Sequence, residues 1–319
     1  MSSRIQKVAT VHFRPTAVLM HALFCVLFFS ANATPAQEDT EMEQTVPTDP
    51  YKGLKAFDRA QGMLLQIKKK GVLRIALNED IHPFHIANPR QGYPGIDVEL
   101  AQLLAEYLQV KLEFQYTSLN DLLRLVHTHQ VDLAFGGVSS NLARGRYVYF
   151  SEPYVRTSAG ALVAKRALPP ESDSVEYNPK RFRQIGDLNQ AGILTLGVQR
   201  NTANHELLLT DREFQKHKVV PFDNHKQMIE SLKNGEIDAM IADSIFIQSQ
   251  VARDSSLQSA YKALLEVYRP EFLSVVVPRG ELALLQEVNF FLRELNRSGE
   301  LKGVIDRYLE NNNWIPEGE

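Results

Sequence analysis

Apolar and polar positions along most of the chain follow two alternating periods. Val72 to Leu77 is a short run rich in branched residues, which predicts a strand. Leu100, Leu103, Leu104, Tyr107 and Leu108 fall at i, i+3, i+4, i+7 and i+8, one face of a helix. Val110, Leu112 and Phe114 alternate as a strand again. Ser118 followed by Asp121 carries a capping-box pattern and opens another helix. Val131 to Phe135 then reads as a buried strand. Strand, helix, strand, helix, strand predicts a parallel sheet with right-handed crossovers. Between the first strand and the first helix, Asn78 to Gly95 is a loop holding Pro83, Pro89 and Pro94, and Asp97 is placed to cap the helix that follows.

The same order recurs. A shift of 106 residues aligns Asp132 with Asp238, Leu122 with Met228, Leu123 with Ile229, Val126 with Leu232 and Val131 with Ile237. In the second copy Ile193 to Val198 is a strand, Thr202 caps a helix through Leu209, Val219-Val220 opens a strand, and His225 to Asn234 is a helix. Ala239 to Ala242 is a strand with Asp243 at its carboxyl end. Convergence on one local geometry would give the same weak similarity, but two αβ lobes also suit the chain length, because single cores rarely grow past about 250–300 residues. Gly160 to Ala164 and Phe272 to Val277 are the expected crossings between lobes. Leu282 to Leu301 and Val304 to Leu309 read as closing helices with Trp314 packed on them. Arg166 to Gln190, with three prolines, reads as an exposed insertion.

Composition refines this picture at the amino terminus. The chain has 319 residues, 44% hydrophobic and 23% charged, which is ordinary globular usage. Arg4, Lys7 and Arg14 precede an apolar run from Ala17 to Phe29, and Ala31-Asn32-Ala33 offers small residues for cleavage. Residues 1–33 therefore read as a signal peptide and imply a periplasmic destination; a run of thirteen residues, interrupted only by His21, falls short of the roughly 20 that span a bilayer, an uncleaved anchor being the alternative. Cleavage removes three positive and no negative residues, so the formal charge moves from −3 to −6 and no basic field remains for nucleic acid. The single cysteine, Cys25, leaves with the peptide, which excludes disulfides and cysteine–metal chemistry in the remainder. Residues 34–50 are acidic and poor in apolar side chains, and predict a disordered linker. Tyr51 to Gly71 suggests a helix packed through Leu64, Leu65 and Ile67.

The chemistry concentrates in VDLAFGGVSSNLARGRYVYFSEPY, Val131 to Tyr154. A strand ends at Gly136-Gly137. Ser139 and Ser140 supply hydroxyls, Asn141 can cap a short helical turn, and Arg144 follows one turn later. A loop leaving a strand end with free N–H groups, hydroxyls and a guanidinium is an anion receptor, since Arg binds a carboxylate through paired charge-assisted bonds. A surface loop whose Arg pairs with a neighbouring acid is the plainer reading of the same residues.

This stretch resembles the signature of the family 3 periplasmic solute-binding proteins of the polar amino-acid type. GVLRIAL (71–77), Pro83-Phe84, GIDVELA (95–101), GVQRNT (197–202) and GEIDAMIAD (235–243) add to the resemblance in order. It implies an α/β, two-lobed periplasmic-binding-protein-like fold (type II), each lobe a parallel-rich sheet flanked by helices, with two hinge crossings. The lobes would span 51–160 and 273–319 for the first and 161–272 for the second. The resemblance implies that Arg144, Ser139 and Gly137 hold a ligand carboxylate from the first lobe and Thr202 from the second. Asp243 would take the ammonium, a plain helix cap being its other reading. Asn78 would lie beside the ligand, with Ile81 and Leu119 against its side chain. Asn78 and these aliphatic residues stand where many members carry an acid and aromatic shelves, which argues for a neutral amino acid. Asn201 stands where the family has Gly.

The implied partners are an amino-acid-like small molecule and the membrane permease of an ABC importer or a sensor protein, with no cofactor and a monomeric chain. Cyclohexadienyl dehydratases resemble the same family, so a dehydratase is the rival; Glu79, Asp80 and Glu152 are its candidate proton donors. A regulatory lobe acting on a cell-envelope protein is a second rival. His82 with His85, and His127 with His129, lack an evident third ligand, so a metal site is not expected.

Overall fold

The computed structural model describes residues 60–79, 81–169 and 182–315. The signal-peptide and acidic-linker segments, Asp80 and residues 170–181 of the expected insertion lie outside these. Helix α1 (Gly62–Lys70) leads into β1 (Val72–Asn78), α2 (Ile96–Tyr107), β2 (Lys111–Thr117), α3 (Leu119–His127) and β3 (Leu133–Phe135). A long strand, β4 (Val148–Ala164), follows, then β5 (Thr195–Gln199), α4 (Ala203–Thr210), β6 (Lys218–Phe222), α5 (His225–Lys233) and β7 (Ala239–Asp243). The chain continues through α6 (Ser244–Arg253), α7 (Ser255–Ala260), β8 (Tyr261–Leu264), β9 (Pro270–Pro278), α8 (Leu282–Ser298) and α9 (Glu300–Leu309).

The strand order is β2-β1-β3-β9-β4-β7-β5-β6, with β8 paired to β4. Strands β2, β1 and β3 run parallel to one another, as do β6, β5 and β7. These parallel trios are the sheets of two lobes, and the antiparallel strands β4 and β9 join them. β4 pairs with β9 from Val148 to Ser158 and with β7 from Ala159 onward. Gly160–Ala164, expected to cross between lobes, is therefore held in the second sheet; the change of partner comes at Ser158–Ala159. Packing explains it. A Cβ at Gly160 would lie 2.8 Å from the Cα of Ser244 and 3.2 Å from the carbonyl oxygen of Leu264. Only glycine lets β7, its following helix and β8 close on β4 here.

Local signals place the helices. Ser118 caps α3, its hydroxyl accepting from the Asp121 N–H at 3.3 Å, and Thr202 caps α4 through the His205 N–H at 3.1 Å. Asp97 does not cap α2; Gly95 occupies that position at φ +115° and Asp97 lies inside the first turn. The cause is again contact, for a Cβ at residue 95 would sit 2.3 Å from the Phe84 carbonyl oxygen. The closing helices break at Gly299, which adopts a left-handed φ of +82°.

Each lobe has its own core. Leu122, Val126, Ala134, Val138 and Val276 pack beneath the first sheet. In the second, Leu196, Val198, Leu208, Phe214 and Ile241 form the core. Phe182, Ile185 and Leu188 join that second core. The described end of the expected insertion is thus anchored rather than exposed, and burying each such side chain stabilises the lobe by about 1.5–3 kcal/mol. Trp314 is buried and its ring stacks near His82 at 6.3 Å.

Candidate functional site

One cavity lies beyond the carboxyl ends of the parallel strands, where open α/β sheets place their ligands. All eight residues named from sequence line it: Asn78, Ile81, Leu119, Gly137, Ser139, Arg144, Thr202 and Asp243. Asn78 ends β1, Gly137 and Ser139 follow β3, Thr202 follows β5 and Asp243 ends β7. Four further polar lining residues escaped the sequence reading: Gln199, Asn204, His225 and Glu271. His225, at the start of α5, is buried and stacks on Phe246 with ring centroids 4.0 Å apart. Asn204 is 6% exposed, and its side-chain oxygen has no hydrogen-bond partner among the described residues.

The loop after β3 presents Arg144 to the cavity. Asn141 does not occupy the cap of the 3-10 turn Arg144–Arg146, a position held by Ala143, but its Oδ1 accepts from the Arg144 N–H at 2.9 Å and ties the loop to the start of that turn. Nη1 of Arg144 donates to the Ser139 carbonyl at 2.8 Å. Nη2 donates to the Asn201 carbonyl, in the opposite lobe, at 2.9 Å. An Arg carries five N–H donors, so others remain for a solute. Burial pulls the Arg144 pKa below its ordinary value, partly opposed by Glu271 and Glu206. Gly137 sits at φ +60°, and its N–H donates to the buried Asp97 carboxylate at 3.1 Å. Asp97 thus pins the glycine loop from behind. Desolvation raises its pKa to about 7 against the opposing pull of the Tyr154 hydroxyl and the loop N–H groups.

The second lobe answers with a carboxylate. Oδ1 of Asp243 accepts from the Thr157 hydroxyl at 2.7 Å and from the Ile245 N–H at 2.9 Å. Asp243 is therefore the cap of α6 and a wall of the cavity at once. Desolvation pushes its pKa up to about 7; the Thr157 bond opposes this and the nearby Glu271 charge adds to it. Thr202 donates to the Gln199 carbonyl at 2.7 Å while its oxygen caps α4, so its hydroxyl proton is already engaged. Asn201 takes the left-handed conformation, φ +61°, which Asn tolerates better than most residues.

The candidate proton donors lie elsewhere. Glu152 is paired with Arg293 at 2.9 Å on the surface. Glu79 lines a separate groove beside Arg74, His85 and Tyr116 along the β2 edge. Asp80 is outside the described residues. No group of three or more His, Cys, Asp and Glu with metal-binding geometry occurs among the described residues.

The pattern that defines the bacterial extracellular solute-binding proteins, family 3, matches residues 73–311. The chain belongs to that family. It is 28% identical to a cyclohexadienyl dehydratase of Pseudomonas aeruginosa, over 78% of this chain and 87% of that protein. It is 24% identical to a probable histidine-binding protein of Neisseria gonorrhoeae, covering 75% and 83%. An amino acid ABC transporter substrate-binding protein, AbpA, from Streptococcus pneumoniae bound to L-arginine superposes with a TM-score of 0.64 at 25% identity, covering 77% and 98%. The two-lobed α/β architecture expected from sequence is the fold of these relatives.

Proposed function

We propose that this family member binds an amino-acid-class solute in the periplasm, closes its lobes over it and delivers it to the permease of an ABC importer. The observation that carries this reading is the pairing of Arg144 and Asp243 on opposite walls of one cavity. A guanidinium in one lobe and a carboxylate in the other suit the two charges of a zwitterion. Arg144 would hold the carboxylate, assisted by the amino end of α4 at Thr202, where backbone N–H groups favour an anion; Ser139 and Gly137 would border it, the Ser139 hydroxyl donating to Glu271 and the Gly137 N–H to Asp97. Asp243 would take the ammonium. Ile81, Leu119 and Asn78 would border the side chain. The names of the binding-protein relatives point the same way.

Closure follows from grip on both sides. A solute shifts an open–shut equilibrium only by its differential affinity for the shut form. Moving from 1:99 to 99:1 takes about 5.5 kcal/mol, comparable to two or three charge-assisted hydrogen bonds. The paired strands β4 and β9, the main connection between the parallel trios, would be the hinge. Arg144 already spans the cleft to the Asn201 carbonyl.

The test is Arg144→Ala. Binding in calorimetry against the twenty amino acids should fall by at least about 100-fold for whichever solute the wild type takes, the value of two lost charge-assisted bonds. The melting temperature should stay within a few degrees, because Arg144 packs at the cavity edge. Unchanged affinity would remove Arg144 from the site. A dehydratase is the second reading, favoured by the Pseudomonas relative and by two cavity carboxyls, Asp243 and Glu271, whose pKa values burial raises. Turnover of prephenate or arogenate would decide for it.

A further inference from the structure

A second groove, with a volume of about 720 Å³, lies away from the cleft along β2. Four of its lining residues, Glu113, Phe114, Gln115 and Tyr116, are consecutive on that strand. Successive strand residues point to opposite faces of a sheet. A groove touched by four in a row therefore follows the edge of the strand rather than either face. β2 is the last strand on its side of the sheet and pairs only with β1.

The groups left open at that edge are specific. The Lys111 N–H donates to the Gly71 carbonyl at 2.9 Å, and the Thr117 carbonyl accepts from the Glu79 N–H at 3.2 Å. In a parallel pair, alternate residues turn their backbone groups to the neighbouring strand. Lys111, Glu113, Gln115 and Thr117 thus face β1, and the N–H and C=O groups of Leu112, Phe114 and Tyr116 face outward, without a partner among the described residues. A row of this kind is a template for one more strand.

The side chains select the strand. Phe114 and Tyr116 share one face, with ring centroids 6.0 Å apart, and the Tyr116 ring lies 5.0 Å from His85. Glu113 is on the other face. The carboxylates of Glu113 and Glu79 have no hydrogen-bond or ion-pair partner among the described residues. Arg74 also lines the groove, but its guanidinium is engaged by Asp132 at 2.7 Å and by the Gln130 carbonyl at 3.0 Å. We propose that the β2 edge is a docking site for an extended peptide segment of a partner protein, added as a further strand, whose side chains alternate between apolar and basic. Its apolar side chains pack on Phe114 and Tyr116, and its Lys or Arg side chains meet the two carboxylates. Strand addition draws affinity from main-chain bonds and specificity from alternate side chains. The edge is separate from the solute cleft, so the amino-acid reading does not depend on it.

The experiment titrates the isotope-labelled full chain with two capped heptapeptides, one alternating valine with lysine and one alternating valine with glutamate, and follows the backbone amide resonances. The lysine peptide should shift the amides of Leu112, Phe114 and Tyr116. It should bind about tenfold more tightly than the glutamate peptide, the difference between two opposite-charge and two like-charge cross-strand pairs. Glu113→Lys should bring the two peptides to within about threefold of each other at an unchanged melting temperature, since residue 113 is only half-buried. N-methylation of the lysine peptide's backbone should abolish the shifts. No shift of those three amides at millimolar peptide, or a lysine preference that survives Glu113→Lys, overturns the proposal. So does a dimer in sedimentation with the same three amides protected, which would make a second copy of this chain the occupant.

Discussion

The two parallel trios are built alike down to single hydrogen bonds, yet they present opposite charges to the cleft. In the first lobe Asp132 accepts the Arg74 N–H at 2.7 Å and donates its own N–H to the Arg74 carbonyl at 2.9 Å. In the second, Asp238 accepts the Thr195 N–H at 2.9 Å and donates to the Thr195 carbonyl at 2.8 Å. The 106-residue shift read from sequence thus superposes two aspartates that tie the start of one strand to its parallel neighbour. The difference lies at the other end of those strands. After β3 the chain enters a glycine loop that carries Arg144; after β7 it enters a helix that Asp243 caps. A shared frame fixes where the strands end, and the residues just beyond decide the chemistry. One consequence is that the first lobe's charge is separable from the fold, whereas the second lobe's charge is part of a helix terminus.

The largest expected effect separates those two arrangements. Asp243→Asn keeps an oxygen for the Ile245 N–H but loses the charge, so affinity for an amino acid should fall about 100-fold with little loss of stability. Asp243→Ala should lose the same affinity and a further ~1 kcal/mol of stability as the α6 cap goes. If both variants melt alike, the cap contributes nothing and the contrast with Arg144 fails. The pH dependence follows the charge. The free Asp243 carboxyl is half-protonated at about 7, and only the ionised form attracts an ammonium. Affinity should therefore weaken below about pH 7, by at most about tenfold per unit. For stability the sign is opposite. A carboxyl raised above its unfolded value holds its proton in the folded state, so its contribution is full in acid and is lost as pH rises through about 7. Asp243→Asn should flatten both dependences, measured by calorimetry and by urea unfolding between pH 5 and 8.

A smaller effect tests how alike the frames are. Asp132 is nearly enclosed, its side chain 6% exposed, and also pairs with Arg74 at 2.7 Å. Asp238 is 30% exposed and meets Arg166 only at 3.6 Å. Asp132→Ala should cost about 2–3 kcal/mol, because it strands a buried N–H and breaks a short ion pair. Asp238→Ala should cost about 1 kcal/mol, since water can reach the freed donor and exposed ion pairs are weak. Urea unfolding decides, and equal costs would mean that exposure does not distinguish the two ties.

Much of this was legible in the sequence because the informative signals are local. Period and capping placed β1, α3 and α4, and the family resemblance named the eight residues that were read from sequence and line the cavity. What escaped depends on pairing between distant strands. Glu271 is one polar residue ahead of an apolar run, and only its register with Thr157 turns it toward the cleft. His225 looked like the first residue of a helix, which it is; its stacking on Phe246 brings it to the cavity wall. Asp97 has the residue type of a cap, but Gly95 takes that place because the Phe84 carbonyl leaves no room for a side chain. Phe182, Ile185 and Leu188 were hidden by the prolines and charges before them, which read as surface.

The smallest effect concerns the two left-handed residues near the cavity, one from each lobe. Gly137 has φ +60° and Asn201 has φ +61°. Their surroundings differ. A Cβ at Gly137 would lie 2.9 Å from Cδ1 of Ile81, inside the cavity wall. The Asn201 side chain is exposed, and its backbone carbonyl, not its side chain, accepts from Arg144. Asn201→Gly should therefore relieve a modest dihedral cost while loosening the unfolded chain, and the two nearly cancel to within about 0.5 kcal/mol. Affinity should be unchanged, because glycine leaves the carbonyl in place. Gly137→Ala brings both the dihedral penalty, about 1 kcal/mol, and the contact with Ile81, so it should lower stability and affinity together. The identity of residue 201 would then be incidental and that of residue 137 a requirement. Thermal melting and calorimetry on the two variants check this, and a loss of binding in Asn201→Gly would show that the second loop needs its side chain after all.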